Sequence, residues 1–367
     1  MARITLVGVH AMRGEEPSLH GIDLDVEDGS TICVLGRSGS GKSTILRVVA
    51  GLTRPSEGRV LLDGVDITTV PTRERQVGLV MRENMLPSKL TPRRSIILPL
   101  FLRRREVDHQ AEVEREANRF GVEELLDEGN ATLSGGQRLL VQSARALVDP
   151  PRVLLLDEPF ADLDPHRRLL LRQRLADRLA SMTVILATSD PIEAMAIADT
   201  IAVLDRGQVR QFGTLAQLRD RPADVVVAEL LGEPAMVMLP ATVRERDVGT
   251  VLQVEGNETT TWNPRLASFD GLRLTTGWWP EDVSVPPRRG DLIVSAEVVQ
   301  TEPLGATTLT HLRVPSGVRI RVAVPGPARP VGDILAVGLD PSRAHVFGPV
   351  DGEALAHPPA RQRPDRA

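Results

Sequence analysis

The chain has 367 residues, 44 Lys and Arg against 49 Asp and Glu, a net charge of -5 and 41% hydrophobic residues. Length alone predicts at least two domains, and the acidic balance argues against a protein that coats nucleic-acid phosphate. No apolar run approaches the roughly 20 residues of a membrane-spanning helix, MARITLVGVH lacks the pattern of a secretory leader, and the one cysteine, Cys33, fits a reducing compartment.

In chain order, Thr31 to Leu35 is a short apolar run of the buried-strand type, followed by Gly36-Arg37-Ser38-Gly39-Ser40-Gly41-Lys42-Ser43. This matches G-x-x-x-x-G-K-[ST] between a strand and the helix-type stretch Lys42 to Ala50, the context the motif requires. Glycines allow backbone N–H groups to curl round phosphate oxygens, and the helix N-terminus adds a favourable dipole. Gly36 to Thr44 is therefore expected to bind Mg-ATP, with Lys42 reaching the β- and γ-phosphates and Ser43 holding Mg²⁺. A second buried-strand run, Val77 to Met81, stops at Arg82, and a helix-rich stretch of about 83–150 follows. Within it Leu133-Ser134-Gly135-Gly136-Gln137 opens the helical segment Gln137 to Val148. Val153 to Leu156 is a strand ending in Asp157 and Glu158, which aims both carboxylates at the carboxyl edge of the sheet, where ligands of open α/β sheets bind. Asp157 is expected to hold Mg²⁺ with Ser43, and Glu158 to act as base toward an attacking water. A helical stretch from Arg167 to Ser181 and a strand run from Thr183 to Thr188 complete an alternating pattern that predicts an α/β domain with a mostly parallel sheet.

After Pro240 the pattern becomes short strands between Gly and Pro turns: Thr250 to Glu255, Gly271 to Thr276, Asp291 to Val298, Val318 to Val324 and Asp333 to Gly338. The fold class expected is an α/β P-loop ATPase domain with a helical subdomain, followed by a small all-β, OB-like barrel. The boundaries read from sequence are 1–235 for the nucleotide-binding domain, 236–350 for the barrel and 351–367 for a Pro- and Arg-rich disordered tail.

A phosphate loop, LSGGQ at Leu133 to Gln137 and a strand ending in Asp157-Glu158, in that order and spacing, resemble the ATPase subunit of an ABC transporter. In that family LSGGQ faces the γ-phosphate held by the other subunit, so the resemblance implies a head-to-tail dimer with two sandwiched nucleotides. Asp164 matches the aspartate of the family's D-loop. Gly277-Trp278-Trp279-Pro280-Glu281-Asp282-Val283 resembles G-x-R-P-E-D-[IV] of the barrel domain in sugar-importer ATPases, with Trp279 at the arginine position. Glu302 to Gly305 and Arg343 to Phe347 fit the same domain. The resemblance implies two transmembrane permease subunits, a solute-binding protein served indirectly, no nucleic-acid partner and a place on the cytoplasmic face of the membrane. The apolar residues Leu86, Leu90, Ile96, Ile97, Leu98 and Leu100 would partly form a groove for a permease helix. Polyamine- and iron-importer ATPases share a similar barrel and give alternative solutes; a nucleotide-binding regulatory or scaffold subunit without turnover is the other class.

Three positions depart from the family. Arg13 stands where an adenine-stacking aromatic is usual, and its planar guanidinium can stack on a base. Arg82 replaces the glutamine that contacts Mg²⁺ and the attacking water; arginine has no acceptor and cannot ligate a cation. Ser189, in Thr188-Ser189-Asp190, replaces the switch histidine. These departures imply that the site on this chain's own phosphate loop is impaired while LSGGQ is intact, as in the degenerate half of a heterodimeric ATPase pair.

Overall fold

The computed structural model describes residues 2–359 except 84, 162, 180, 248, 262, 350 and 351, with backbone alone at 165–167, 176–179 and 264. These residues form two compact units, Met1–Thr214 and Leu215–Ala367, so the division falls ahead of the 235/236 boundary read from sequence.

The first unit is built on two sheets. One is antiparallel, in the order β2–β1–β4–β5, from β1 (Ile4–Arg13), β2 (Glu16–Val26), β4 (Glu57–Leu62) and β5 (Val65–Asp66). The alternation expected from sequence did not anticipate this separate sheet. The other runs β10–β9–β3–β8–β7–β6, from β3 (Thr31–Leu35), β6 (Val77–Val80), β7 (Val153–Asp157), β8 (Thr183–Thr188), β9 (Thr200–Asp205) and β10 (Gln208–Gly213). It is parallel except for β10, which returns antiparallel to β9. Every residue of β3, β7 and β8 is buried, as expected for strands covered on both faces. Helix α1 (Lys42–Ala50) packs Ile45, Leu46, Val48 and Val49 into the core shared with both sheets.

Three helices make the helical subdomain: α2 (Pro92–Leu102), α3 (His109–Phe120) and α4 (Gly135–Leu147). Their starts follow local rules. Thr91 caps α2 ahead of Pro92, and Asp108 caps α3 by accepting from the N–H groups of Gln110 and Ala111. The buried carboxylate of Asp149 receives Arg103 at 2.7 Å and Arg105 at 2.8 Å, which ties the end of α2 to the segment that leads into β7. Helices α5 (Pro165–Leu179) and α6 (Pro191–Ile197) flank β8 in the chain.

The second unit opens with α7 (Leu215–Asp220) and α8 (Val225–Leu230). Eleven short strands among its described residues then form two antiparallel sheets. The first contains β11 (Val237–Arg246), β12 (Gly249–Val254), β13 (Asn257–Thr260), β14 (Arg273–Trp278), β20 (His345–Phe347) and β21 (Ala354–Ala356). The second contains β15 (Val283–Ser284), β16 (Leu292–Leu304), β17 (Thr307–Arg313), β18 (Arg319–Pro325) and β19 (Ile334–Leu339). Both contribute to one core around Trp278, Val294, Leu312 and Val346, which makes this an all-β, OB-like half-barrel. The expected disordered tail needs correction. Ala354–Ala356 pairs with β20, and Gly348 N–H donates to the Glu353 carbonyl at 2.7 Å, so backbone pairing orders this segment despite its composition. Residues 360–367 lie outside the described part.

Trp279 is buried. Its indole N–H donates to the Arg219 carbonyl at 3.0 Å, and the Arg219 guanidinium sits 4.4 Å from the ring centroid. This is a partly buried cation–π contact between α7 and the residue that stands at the arginine position.

The end of α1 depends on one side chain that sequence reasoning missed. Gly51 takes the left-handed conformation (φ 77°) that closes the helix. Arg75, 3% exposed, then donates to the carbonyls of Val48 (2.8 Å) and Val49 (2.9 Å), and also to Val70 and Thr68. Helix C-termini leave such carbonyls without intrahelical partners. Arg75→Met should therefore lower stability by about 3 kcal/mol, since hydrogen bonds to a charged group contribute about 1.5–3 kcal/mol each and are not fully additive. Urea titration of the full chain, followed by far-UV circular dichroism, measures it.

Candidate functional site

Parallel register brings the predicted residues to one sheet edge. Leu35 pairs with Thr188, and Asp157 with Ala187, so the chain leaves β3, β7 and β8 side by side at Gly36, Glu158 and Ser189. Two glycines make the first exit possible. A Cβ on Gly36 would lie 2.3 Å from the Leu204 carbonyl oxygen. At Gly41, φ is 108°, and a Cβ would meet Leu19 and Ser18 at 2.9 Å. Neither position tolerates a side chain, and both are needed to start α1 at Lys42.

Lys42 is 6% exposed, and its ammonium donates to the carbonyls of Gly36 (2.8 Å) and Arg37 (3.1 Å). Glu158 Oε1 lies 3.4 Å from the same nitrogen. Ser43 Oγ donates to Asp157 Oδ1 at 3.0 Å, and Asp157 is 3% exposed. Burial pushes the Asp157 carboxyl above the usual carboxylate range, and the Ser43 hydrogen bond opposes this. A hydroxyl and a carboxylate oxygen in contact suit a hard cation such as Mg²⁺, which takes one or two protein oxygens beside substrate phosphates. The same cleft is lined by Arg13, Ser38, Gly39, Thr44, Arg82 and Glu83. Arg13 ends β1 and lines a second cleft with Ser43, Thr44 and Arg47.

Glu158 has a left-handed backbone (φ 48°), which costs a residue with a Cβ energy and recurs at functional sites. Its amide donates to Ala187 at 2.8 Å, which holds the turn onto β8. Ser189 keeps a contact that sequence reasoning did not foresee: its hydroxyl donates to Glu158 Oε2 at 3.2 Å. Arg82 is exposed and shares a further cleft with Glu158, Gly135 and Arg138. The neighbouring Glu83 accepts from Arg47 at 2.7 Å.

The LSGGQ segment is a capped helix start. Leu133 is buried; the Ser134 hydroxyl accepts from Gln137 N–H at 3.3 Å, and Gln137 Oε1 accepts from Ser134 N–H at 2.8 Å. Capping uses Ser134 as an acceptor and leaves its O–H proton available for an outward anion. Gly136 is buried, whereas Gly135 is exposed, has no left-handed backbone and would place a Cβ with nothing within 4 Å. Asp164 is exposed, and its carbonyl accepts the Arg168 N–H at 2.9 Å in the first turn of α5.

The ABC transporter family matches residues 19–161 and the TOBE domain family residues 279–347. The chain is 33% identical to an alpha-glucoside transport ATP-binding protein of Rhizobium meliloti, over 95% of this chain and 98% of the relative. It is 36% identical to a maltose/maltodextrin import ATP-binding protein of Escherichia coli (95% and 96% covered) and 34% identical to a glycerol-3-phosphate import ATP-binding protein of Cereibacter sphaeroides (97% and 100%). The chain is an ABC transporter ATP-binding subunit. A solved dimeric ATP-binding cassette in a post-hydrolysis state with ADP and Pi superimposes with a TM-score of 0.54 at 27% identity, over 57% of this chain and 98% of that one. Like its family, this ABC subunit binds ATP; among its described residues no helix is long and apolar enough to cross a membrane.

Lys42→Ala should weaken binding of a fluorescent ATP analogue by about a hundredfold or more, from the loss of charge-assisted contacts of about 1.5–3 kcal/mol each. Equilibrium titration by anisotropy measures this, and unchanged affinity would remove Lys42 from the nucleotide site.

Proposed function

We propose that this ABC subunit drives import of a carbohydrate or polyol-type solute as the degenerate half of a heterodimeric ATPase pair. The reading of the solute rests on the names of the full-length relatives, which transport alpha-glucosides, maltodextrins and glycerol phosphate. The partners would be two permease subunits and a solute-binding protein, with the chain on the cytoplasmic face of the membrane. The observation that carries the heterodimer is the pair Arg82 and Ser189 beside Glu158. Ser43 and Asp157 would hold Mg²⁺, whose charge, when bound, offsets that of the phosphates. Lys42 binds the β- and γ-phosphates, Gly36 to Thr44 supplies backbone N–H groups, and Arg13 lies against adenine. Glu158 would take a proton from water, but Arg82 offers no acceptor to orient that water. Ser189 donates to Glu158 itself and is shorter than the histidine that would reach a γ-phosphate. The capped helix at Leu133 to Gln137 is complete, so the competent composite site would join it to a sister subunit's phosphate loop.

Purified alone, the chain should show negligible turnover. Arg82→Gln combined with Ser189→His should raise turnover by roughly 10²–10³, the usual worth of one preorganised charge-stabilising group. A double variant as slow as the parent, or a parent whose robust turnover is lost in Glu158→Gln, would end the degenerate-site reading. In an uptake assay with the assembled transporter, Gly135→Asp should nearly stop solute entry. It sets a carboxylate against the approaching γ-phosphate. Gly135→Ala should be close to neutral because the position has open space. Glu158→Gln should matter little; equal loss from Glu158→Gln and Gly135→Asp would mean that both sites work.

A further inference from the structure

Ser189 sits between Thr188, which is anchored to a buried carboxylate, and Asp190, which is anchored to Thr188. Thr188 Oγ1 donates to Glu193 Oε2 at 2.7 Å, and Asp190 N–H donates to Thr188 Oγ1 at 3.0 Å. Asp190 also caps α6, accepting from Ile192 at 2.8 Å. Glu193 is 2% exposed. Two arginines one turn apart on α5 face this group. Arg168 Nη1 lies 3.5 Å from Asp190 Oδ2 and 4.0 Å from Glu193 Oε1. Arg172 adds its positive charge near Glu193, and its guanidinium lies 5.3 Å from the centroid of the buried Phe160, two residues after Glu158.

The near end of α5 continues into the turn that carries Asp164. Arg168 N–H donates to Asp164, Leu163 N–H to Phe160 and Ala161 N–H to Glu158. One cluster therefore joins the loop of Ser189 to the turn from Glu158 to Asp164. The turn also meets the phosphate loop directly, since Glu158 Oε1 lies 3.4 Å from Lys42 Nζ, whereas the contact of Arg168 with Glu193 joins the turn to the Ser189 loop by a separate route. Glu193 is buried while Arg168 is 34% exposed, so removing the arginine would leave a buried carboxylate without this partner.

We propose that Arg168 and Glu193 are positioning residues that lock the Ser189 loop to the Glu158–Asp164 turn, so that nucleotide arriving at Lys42 moves both as one piece. Asp164 is an exposed member of that turn, so the coupling would carry the state of this chain's nucleotide outward to a subunit that faces it. The proposal rests on ATP binding at Gly36 to Thr44; it does not depend on a heterodimer or on turnover.

Hydrogen exchange of the purified full-length chain, titrated with Mg-ATP, tests it through three segments: 36–44, 158–166 and 186–193. Protection of 36–44 reports binding itself and separates a failure of ATP binding from a failure of coupling. In the parent, 158–166 and 186–193 should slow together by about fivefold or more, the lower range of site-to-site coupling. In Arg168→Met the response of 158–166 should fall below about twofold, with 186–193 still responding and the ATP midpoint within about twofold of the parent. Arg168→Lys, which keeps the charge, should restore it. Glu193→Gln keeps an acceptor for Thr188, removes the charge and should repeat the Arg168→Met pattern. Full coupling in both Arg168→Met and Glu193→Gln would overturn the proposal. So would loss of all three responses in both, which would make the cluster part of the ATP-binding scaffold.

Discussion

The buried ammonium of Lys42 is the constraint on which the nucleotide site depends. A cation almost out of contact with water is costly unless its hydrogen bonds are met. Here the Gly36 and Arg37 carbonyls and the Glu158 carboxylate surround it. Those partners come from two loops leaving different strands, so the charge can be housed only when β3 and β7 are in register with β8 between them. The glycines at 36 and 41 follow from the same demand. The backbone passes so close to Leu204 that a Cβ on Gly36 would lie 2.3 Å from its carbonyl oxygen, and α1 then begins with its lysine facing inward.

Around that centre, charged side chains do structural work that a composition of 25% charged residues does not reveal. Arg75 closes α1, Asp149 gathers Arg103 and Arg105, and Glu193 lies 4.0 Å from Arg168. Each is a buried or half-buried charge with opposite charge or several carbonyls at hand, which is how proteins accommodate ions away from water. In the second unit Arg219 follows the same logic with an aromatic partner. Trp279 removes a charge at the position where an arginine was expected, and Arg219 returns one by lying on its indole face.

The substitutions at 82 and 189 take on different weights once the site is assembled. Arg82 brings a donor-only group to the cleft beside Glu158. Ser189 remains a hydrogen-bond donor, but toward the carboxylate of Glu158. In the function proposed above, a serine that engages Glu158 would compete with water for that acceptor.

The local signals were sufficient for the α/β–then–all-β order, the glycine-rich turn from Gly36 to Ser43, a helix opened by the Leu133 to Gln137 segment and the acidic end of β7. Each depends on spacing within a few residues: glycine where backbone must turn back, a cap three residues before its partner, apolar runs for strands covered on both faces. Membership of the family was legible for the same reason, since its three motifs are local. What tertiary structure alone decided lies between residues far apart in sequence. The antiparallel sheet of β1, β2, β4 and β5 depends on pairing of Ile4 with Leu62 and Val26, and the strand at Ala354–Ala356 on β20. The contact of Ser189 with Glu158, the cage round Lys42, the grip of Arg75 on α1 and the facing of Arg168 to Glu193 all follow from strand register and helix placement. No window of local sequence contains both partners of these long-range contacts, and the same residue types would read as ordinary surface charge until the fold brings them together.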